Sequence, residues 1–227
     1  MKKILSLVVI GLVVSACDSG SSSSANVTLK GAGAAASLST FLPVVDPAQM
    51  KIKVFKFAVS THTDCSDMQV IYEDSSPAYQ QMLANPTIGS GTLADGEYPC
   101  IAMEVSDQIK FTTNTTEGSC TAGSEYTIDV CRSDNSGAST LIDGTAVTCA
   151  GTDDGVNPAP NDDKVAIYMS TTGSDSNLAF IPSSPFPLTS AFTVAGAVTA
   201  TFVVDGSGKV DGSNTACGMN PPVFGFR

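Results

Sequence analysis

Between residues 192 and 204 apolar and polar side chains alternate. Phe192, Val194, Val198, Ala200, Phe202 and Val204 stand against Thr193, Thr199 and Thr201. The same period of two runs through Ile101, Met103, Val105, Ile109 and Phe111, against Glu104, Ser106, Gln108 and Lys110. It returns in Val165, Ile167 and Met169 against Lys164, Ala166 and Ser170, and again in Tyr126, Ile128 and Val130. Successive side chains on a strand point to opposite faces, so these segments predict half-buried antiparallel strands. Residues 52–59 are apolar in both phases, which predicts a central strand. Asp95-Gly96, Asp143-Gly144 and Asp205-Gly206 each separate strand-like runs, and Asp-Gly suits the positive-φ turns that reverse hairpins. Helix signals are few. Residues 76–83, with Pro77 in the first turn, predict a short helix, and residues 33–42 predict another. Many short strands with Gly and Asp turns predict an all-β fold, an antiparallel β-sandwich.

The first seventeen residues follow a different pattern. Lys2 and Lys3 precede an apolar run over residues 4–14, and the small residues Ser15 and Ala16 follow it. That is the layout of a secretory signal peptide. Eleven residues of helix span about 16 Å, roughly half the hydrocarbon thickness of a bilayer, so the run is too short for a stable transmembrane helix. Val14-Ser15-Ala16-Cys17 resembles the lipobox of bacterial lipoproteins, in which a peptidase cuts before a cysteine that carries a diacylglyceryl group. The resemblance implies removal of residues 1–16 and lipidation of Cys17, with acyl chains such as palmitate holding the protein to a membrane. Two or three chains anchor effectively permanently, at about 0.8 kcal/mol per buried methylene, where a single chain does not. Asp18 resembles the residue that retains enterobacterial lipoproteins in the inner membrane. Lineages read that position differently, so inner membrane, outer membrane and cell surface all stay open.

Charge and cysteines then describe the mature part. Without Lys2 and Lys3 the chain has 9 basic against 22 acidic side chains, a net charge near −13. Such a surface opposes phosphate backbones and anionic lipid headgroups, which argues against nucleic acid as a partner. Beyond Cys17 there are six cysteines: Cys65, Cys100, Cys120, Cys131, Cys149 and Cys217. An even number in an exported chain predicts three disulfides, each contributing about 2–4 kcal/mol. Six cysteines allow about 15 connectivities. Cys65 with Cys100 is the preferred pair, because no other of the six lies in that half of the chain. Zinc is the competing use of cysteine, but there is no Cys-x-x-Cys pair and a single histidine.

Residues 17–25 comprise the lipidated cysteine and a flexible serine-rich tether. Residues 26–227 are expected to form the β-sandwich domain, with 151–163 a sub-boundary or a long loop. Leu93-Ala94-Asp95-Gly96-Glu97-Tyr98 resembles the Leu-x-x-Gly-x-Tyr turn of prealbumin-like sandwich domains, so the sandwich is expected to be of that kind or Ig-like.

Candidate chemistry is sparse. A Ser-His-Asp or Cys-His relay needs a histidine, and the one present, His62, adjoins Asp64 and a cysteine expected to be oxidised. An exposed loop histidine is the reading preferred. Neither a Gly-x-Ser-x-Gly elbow nor a His-Glu-x-x-His helix occurs. Gly206-Ser207-Gly208-Lys209 lacks the spacing of a phosphate loop and reads as a hairpin turn. Asp153, Asp154, Asp162 and Asp163, with Asn157, bring hard oxygens into one loop, the donor type calcium takes. The twelve-residue calcium-loop pattern is missing, and a solvated acidic loop is preferred. Asp107 is the one charge on the apolar face of the Ile101 strand. Because burying it is costly, a bulge or an exit from the core is expected there. No cofactor is expected, calcium being the alternative.

Two functional classes follow. The first is a non-catalytic, lipid-anchored envelope lipoprotein whose sandwich serves structure or binds an envelope protein or exposed ligand. The alternative is a hydrolase acting through acidic residues, with or without calcium. A lack of tryptophan weakens a carbohydrate substrate, leaving five tyrosines to stack on sugars.

Overall fold

The computed structural model describes residues 24–34, 45–131, 137–149, 163–174, 180–213, 216–220 and 222–226. Nineteen strands lie among them. In chain order they are β1 (Ser24–Ala34), β2 (Pro47–Ile52), β3 (Val54–Ser60), β4 (Gln69–Glu73), β5 (Gln80–Gln81), β6 (Thr87–Ala94) and β7 (Gly96–Tyr98). β8 (Cys100–Ser106), β9 (Gln108–Thr113), β10 (Tyr126–Asp129), β11 (Gly137–Thr140), β12 (Ala146–Cys149) and β13 (Lys164–Ser170) follow. The last are β14 (Phe186–Pro187), β15 (Phe192–Val194), β16 (Val198–Asp205), β17 (Val210–Asp211), β18 (Gly218–Met219) and β19 (Val223–Phe226). A single 3-10 turn, Met82–Ala84, is the helical content of the described residues.

The architecture is sandwich-like. One four-stranded sheet has the order β19-β16-β1-β6 and a five-stranded sheet the order β14-β13-β8-β3-β4. A second four-stranded sheet, β10-β9-β2-β5, continues from the five-stranded one across a bend. β2 runs into β3 at Lys53, and β8 runs into β9 at Asp107. Both halves pair antiparallel, Lys51 opposite Lys110 and Val54 opposite Val105. One long antiparallel ladder is therefore folded over at Lys53 and Asp107 and contributes to two sheets.

The main core lies between the sheets. Leu29, Phe202 and Val204 meet Phe57, Met103 and Ile167, with Met50, Ile109 and Phe111 from the bent sheet. Phe226 stacks on Phe57, with ring centroids 5.4 Å apart. The alternation read along 101–111, 164–170 and 192–204 sets this face correctly: Ile101, Met103 and Val105 are all in the core, as are Val165, Ile167 and Met169. β6 approaches β4 so closely that a Cβ at Gly89 would collide with the Tyr72 ring, and one at Gly91 with the Ile71 carbonyl. Glycine in this strand serves close approach.

Several expectations need correction. β1 begins at Ser24, inside the stretch read as tether. Ala25 is buried in phase with Val27 and Leu29 and pairs with Leu93. Two strand pairs are parallel, β1 with β16 and β13 with β14. Period-2 patterning assigns faces but not direction, so it could not distinguish them. Of residues 52–59, Ile52 ends β2 and the rest from Val54 lie in β3, an interior strand between β8 and β4 that is buried in both phases as expected; β8 beside it is buried on both faces as well. No helix forms over 76–83. Residues 77–79 are irregular, Gln80 and Gln81 pair with β2, and only the 3-10 turn follows. Of the second predicted helix, Gly33 and Ala34 belong to β1 and residues 35–42 lie outside the described residues.

Of the three Asp-Gly turns, only Asp143-Gly144 closes a hairpin, β11 with β12, and Gly144 has φ of 84°. At Asp95-Gly96 the chain crosses instead: β7 pairs with β15, not β6, and the Tyr98 hydroxyl donates to the Ala94 carbonyl at 2.8 Å. After Asp205-Gly206 the chain leaves β16, which pairs with β19 instead. Neither Gly96 nor Gly206 has positive φ, so neither adopts the hairpin turn that Asp-Gly favours.

All six cysteines pair with one another: Cys65–Cys100, Cys120–Cys217 and Cys131–Cys149. The second spans 97 residues and ties the 117–120 turn to the residues before β18.

Candidate functional site

The bend at Asp107 gathers the most polar chemistry buried in the fold. The sequence predicts a bulge or an exit from the core at Asp107, but the residue is fully buried at the bend between β8 and β9. Its backbone amide donates to the Asp163 carbonyl at 3.0 Å, and its Oδ1 accepts from the Asp163 amide at 3.0 Å. Its carbonyl accepts from the Val130 amide at 2.8 Å. A buried carboxylate is tolerable when such bonds replace water. Asp107 thus joins the bent ladder to the end of β10 and the start of β13.

Asp129 lies beside it. This residue occupies the phase opposite Ile128 and Val130 and was expected to face solvent, yet it is 2% exposed. Its Oδ1 accepts from the Cys131 amide at 2.7 Å. A carboxylate oxygen of Asp107, one of Asp129 and the sulfur of Cys131 lie within 4.8 Å of one another. Sequence reading missed Asp129 because strand alternation presumes one wet face, and the end of β10 has none.

The donor set limits what this cluster can hold. Cys131 is bonded to Cys149, so it offers no thiolate, and soft-metal chemistry has no ligand here. Two carboxylates are calcium-type donors, but calcium takes about six to eight oxygens. The described residues of the corner do not supply that shell. Of the acidic-loop candidates only Asp163 is described, and its backbone serves Asp107. Asp153, Asp154 and Asp162, with Asn157, lie outside the described residues. Cys17 does as well.

The other sequence candidates sit apart from this corner. His62 is exposed in the loop after β3, its Nε2 3.8 Å from Asp67. The nearby Ser60 hydroxyl is buried and committed to backbone: it donates to the Ser66 carbonyl and accepts from the His62 amide at 2.9 Å. Asp64 holds this loop through Ser66, whose hydroxyl and amide both donate to it and keep its carboxyl below the usual range. In the 206–209 turn the backbone amides are already occupied. Ser207 donates to Asp205 at 2.9 Å and Gly208 to Asp46 at 2.7 Å, so the amides that would cradle a phosphate face carboxylates.

A second polar group spans the outer face of the five-stranded sheet. Glu104, 3% exposed, accepts from the Ile142 amide at 2.9 Å and faces the Lys56 ammonium at 3.7 Å. The Tyr168 hydroxyl donates to the Thr140 carbonyl at 2.8 Å. Burial, then the negative charge of Glu104, pushes the Tyr168 phenol well above its ordinary value. These bonds hold the β11–β12 hairpin to the sheet.

Among the described residues no helix is long and apolar enough to cross a membrane. No protein-family model matches this chain, and no curated protein and no solved structure matches it either.

Proposed function

We propose that this chain is an exported bacterial lipoprotein, anchored through lipid on Cys17, whose disulfide-stapled sandwich acts without catalysis by binding a partner in the cell envelope. The observation that carries the reading is the pairing of the cysteines. Six of seven are joined to one another in the folded part, leaving Cys17 as the one thiol outside the disulfide set. Three disulfides suit an oxidising compartment, and Cys17 stands where a lipobox cysteine stands, behind a charged and then apolar leader. The non-catalytic reading is supported by where the buried polar groups go: Ser60, Glu104, Asp107, Asp129 and Tyr168 all bond backbone amides or carbonyls.

The anchor would also limit how far the domain stands from the membrane. Six residues separate Cys17 from Ser24, a reach of about 25 Å at full stretch. Lipid on Cys17 would keep the end of the sandwich where β1 starts within that distance of the bilayer. β16 also starts at that end and β6 finishes there, so the Asp95 turn lies at the same end.

Intact mass and thiol titration of the full-length protein from its native membrane test the reading. A diacyl or triacyl mass that Cys17→Ala abolishes, with no free thiols, is expected. An unlipidated mature mass overturns the anchor.

A further inference from the structure

The loop between β3 and β4, residues 61–68, carries a backbone conformation that its sequence does not favour. Cys65 has φ of 59°. Among the described residues other than glycine, only Asp67 and Asn85 share that left-handed region, and aspartate and asparagine tolerate it. A cysteine there brings its Cβ against the following carbonyl oxygen, a steric cost that a negative φ avoids. None of the other five bridged cysteines has positive φ.

Two kinds of contact hold Cys65 in this form. Its sulfur is bonded to Cys100, the first residue of β8. Cys100 stands between Ser60 and Ser170 in register, and both buried hydroxyls reach the loop. Ser60 donates to the Ser66 carbonyl, and Ser170 donates to the Thr63 carbonyl at 2.6 Å. The loop is thereby drawn onto the outer face of the five-stranded sheet, where Cys65 and Met68 join Cys100, Ala102, Ala166 and Tyr168 in one cluster. On its other side the loop is open, with residues 61–64, 66 and 67 exposed.

Breaking the bridge removes the contact that requires the Cys65 sulfur to point at the sheet. The backbone can then return to negative φ, so the strain belongs to the oxidised form and favours reduction. The two sulfurs are not equivalent. Cys100 is fully buried, whereas Cys65, 5% exposed, lies just beneath exposed neighbours on both sides. Cys65 is therefore the sulfur that a reductant meets when the loop moves.

We propose that the Cys65–Cys100 bridge is a redox switch: a dithiol reductant opens it ahead of the other two bridges, and the 61–68 loop then leaves the outer face of the sheet. A thiolate of the reductant attacks the Cys65 sulfur. The Cys65–Cys100 bond breaks, and Cys100 leaves as a thiolate that takes up a proton. The second thiol of the reductant then attacks the mixed disulfide and releases Cys65. Two electrons and two protons pass to the cysteine pair, and the reductant ends as its own disulfide. With the bridge gone, the Ser60 and Ser170 bonds are the main holds left, and the Cys100 end of the outer cluster is uncovered when they give way. The inference goes beyond the anchoring and binding roles and rests on neither, since it concerns the folded chain alone.

The test equilibrates full-length protein in detergent with mixtures of reduced and oxidised dithiothreitol. Free thiols are trapped by alkylation and located by peptide mass. Cys65 and Cys100 should be labelled at a ratio of reduced to oxidised reagent about tenfold below that needed for the other four cysteines, the scale of one left-handed residue relieved. Hydrogen exchange should rise over residues 61–68 while residues 101–105 stay protected. Labelling of another pair first, or of all six cysteines together, overturns the switch. So does reduction of Cys65 and Cys100 that leaves exchange over 61–68 unchanged. Variants without the bridge check the source of the effect: with Cys100→Ala in both, Cys65→Ala is compared with Cys65→Gly in denaturant. If the loop abandons its left-handed turn once the bridge is gone, the Cys65→Ala form is at least as stable. A Cys65→Gly form favoured by about fivefold in its folding constant means that the turn persists without the bridge, and overturns the strain that drives the switch.

Discussion

The two faces of the five-stranded sheet are held by different physics. On the inner face Phe57, Ile101, Met103, Val165 and Ile167 pack into a large apolar core. On the outer face Cys65, Cys100, Ala102, Ala166 and Tyr168 form a small cluster with Leu141 and Ile142 beneath the β11–β12 hairpin. Inside, stability scales with area, at about 25 cal/mol per Å² of apolar surface, and no single bond is decisive. Outside, the small side chains of Ala102 and Ala166 let the hairpin approach, and Glu104 to Ile142 and Tyr168 to Thr140 bond it to the sheet, while the Cys65–Cys100 bridge ties the loop after β3 to the start of β8 on the same face. One sheet thus carries a core that tolerates small changes in its bonds and another that depends on them.

The comparison can be broken at four points. Phe57→Ala should cost about 3–5 kcal/mol, because it opens a cavity in the inner core. It should lower the midpoint of global unfolding as read by denaturant titration. Removing the outer bridge with Cys65→Ala and Cys100→Ala should cost about 4 kcal/mol, since the bridge closes a loop over a separation of 35 residues. Loss of hydrogen-exchange protection on both faces together in the bridge-free variant would mean the two faces are one cooperative core.

Glu104→Ala should cost about 2 kcal/mol, leaving the Ile142 amide without its partner and the largely buried Lys56 with Glu73 alone. Hydrogen exchange over residues 137–149 should rise before the rest of the sheet opens. Tyr168→Phe has the smallest expected effect, about 1 kcal/mol for one hydroxyl bond. It carries its own pH signature. The folded protein holds the Tyr168 phenol protonated above the ordinary value of 10.0. Its contribution is therefore full below pH 10 and is lost as pH rises further, because the unfolded chain releases the proton first. Thermal melts from pH 8 to 12 should show a shallower alkaline decline in Tyr168→Phe than in the parent.

The inner face was legible from the sequence and the outer face was not. Ile101, Met103 and Val105 alternate with Glu104 and Ser106, and the phase is right. Glu104 and Ser106 were read as solvent-facing because local alternation cannot see a hairpin that arrives from residues 137–149. Asp129 failed because the end of β10 packs against the buried bend at Asp107, and Asp107 failed because its amide and carboxylate partner, Asp163, is 56 residues away. The Cys65–Cys100 pairing preferred from sequence is the one formed, while the other four cysteines gave no local reason to choose.

By itself the sequence determined the class of this protein's architecture: strands rather than helices, which side chains form the main core, and six cysteines suited to three bridges. Those depend on side-chain period, turn residues and counting, all of which are local. Tertiary structure alone decided that β1 lies parallel to β16, that the long ladder bends at Asp107, and that two of three Asp-Gly pairs do not close hairpins. Each of these is a choice of partner across long stretches of chain, made by packing and backbone pairing that no local pattern encodes.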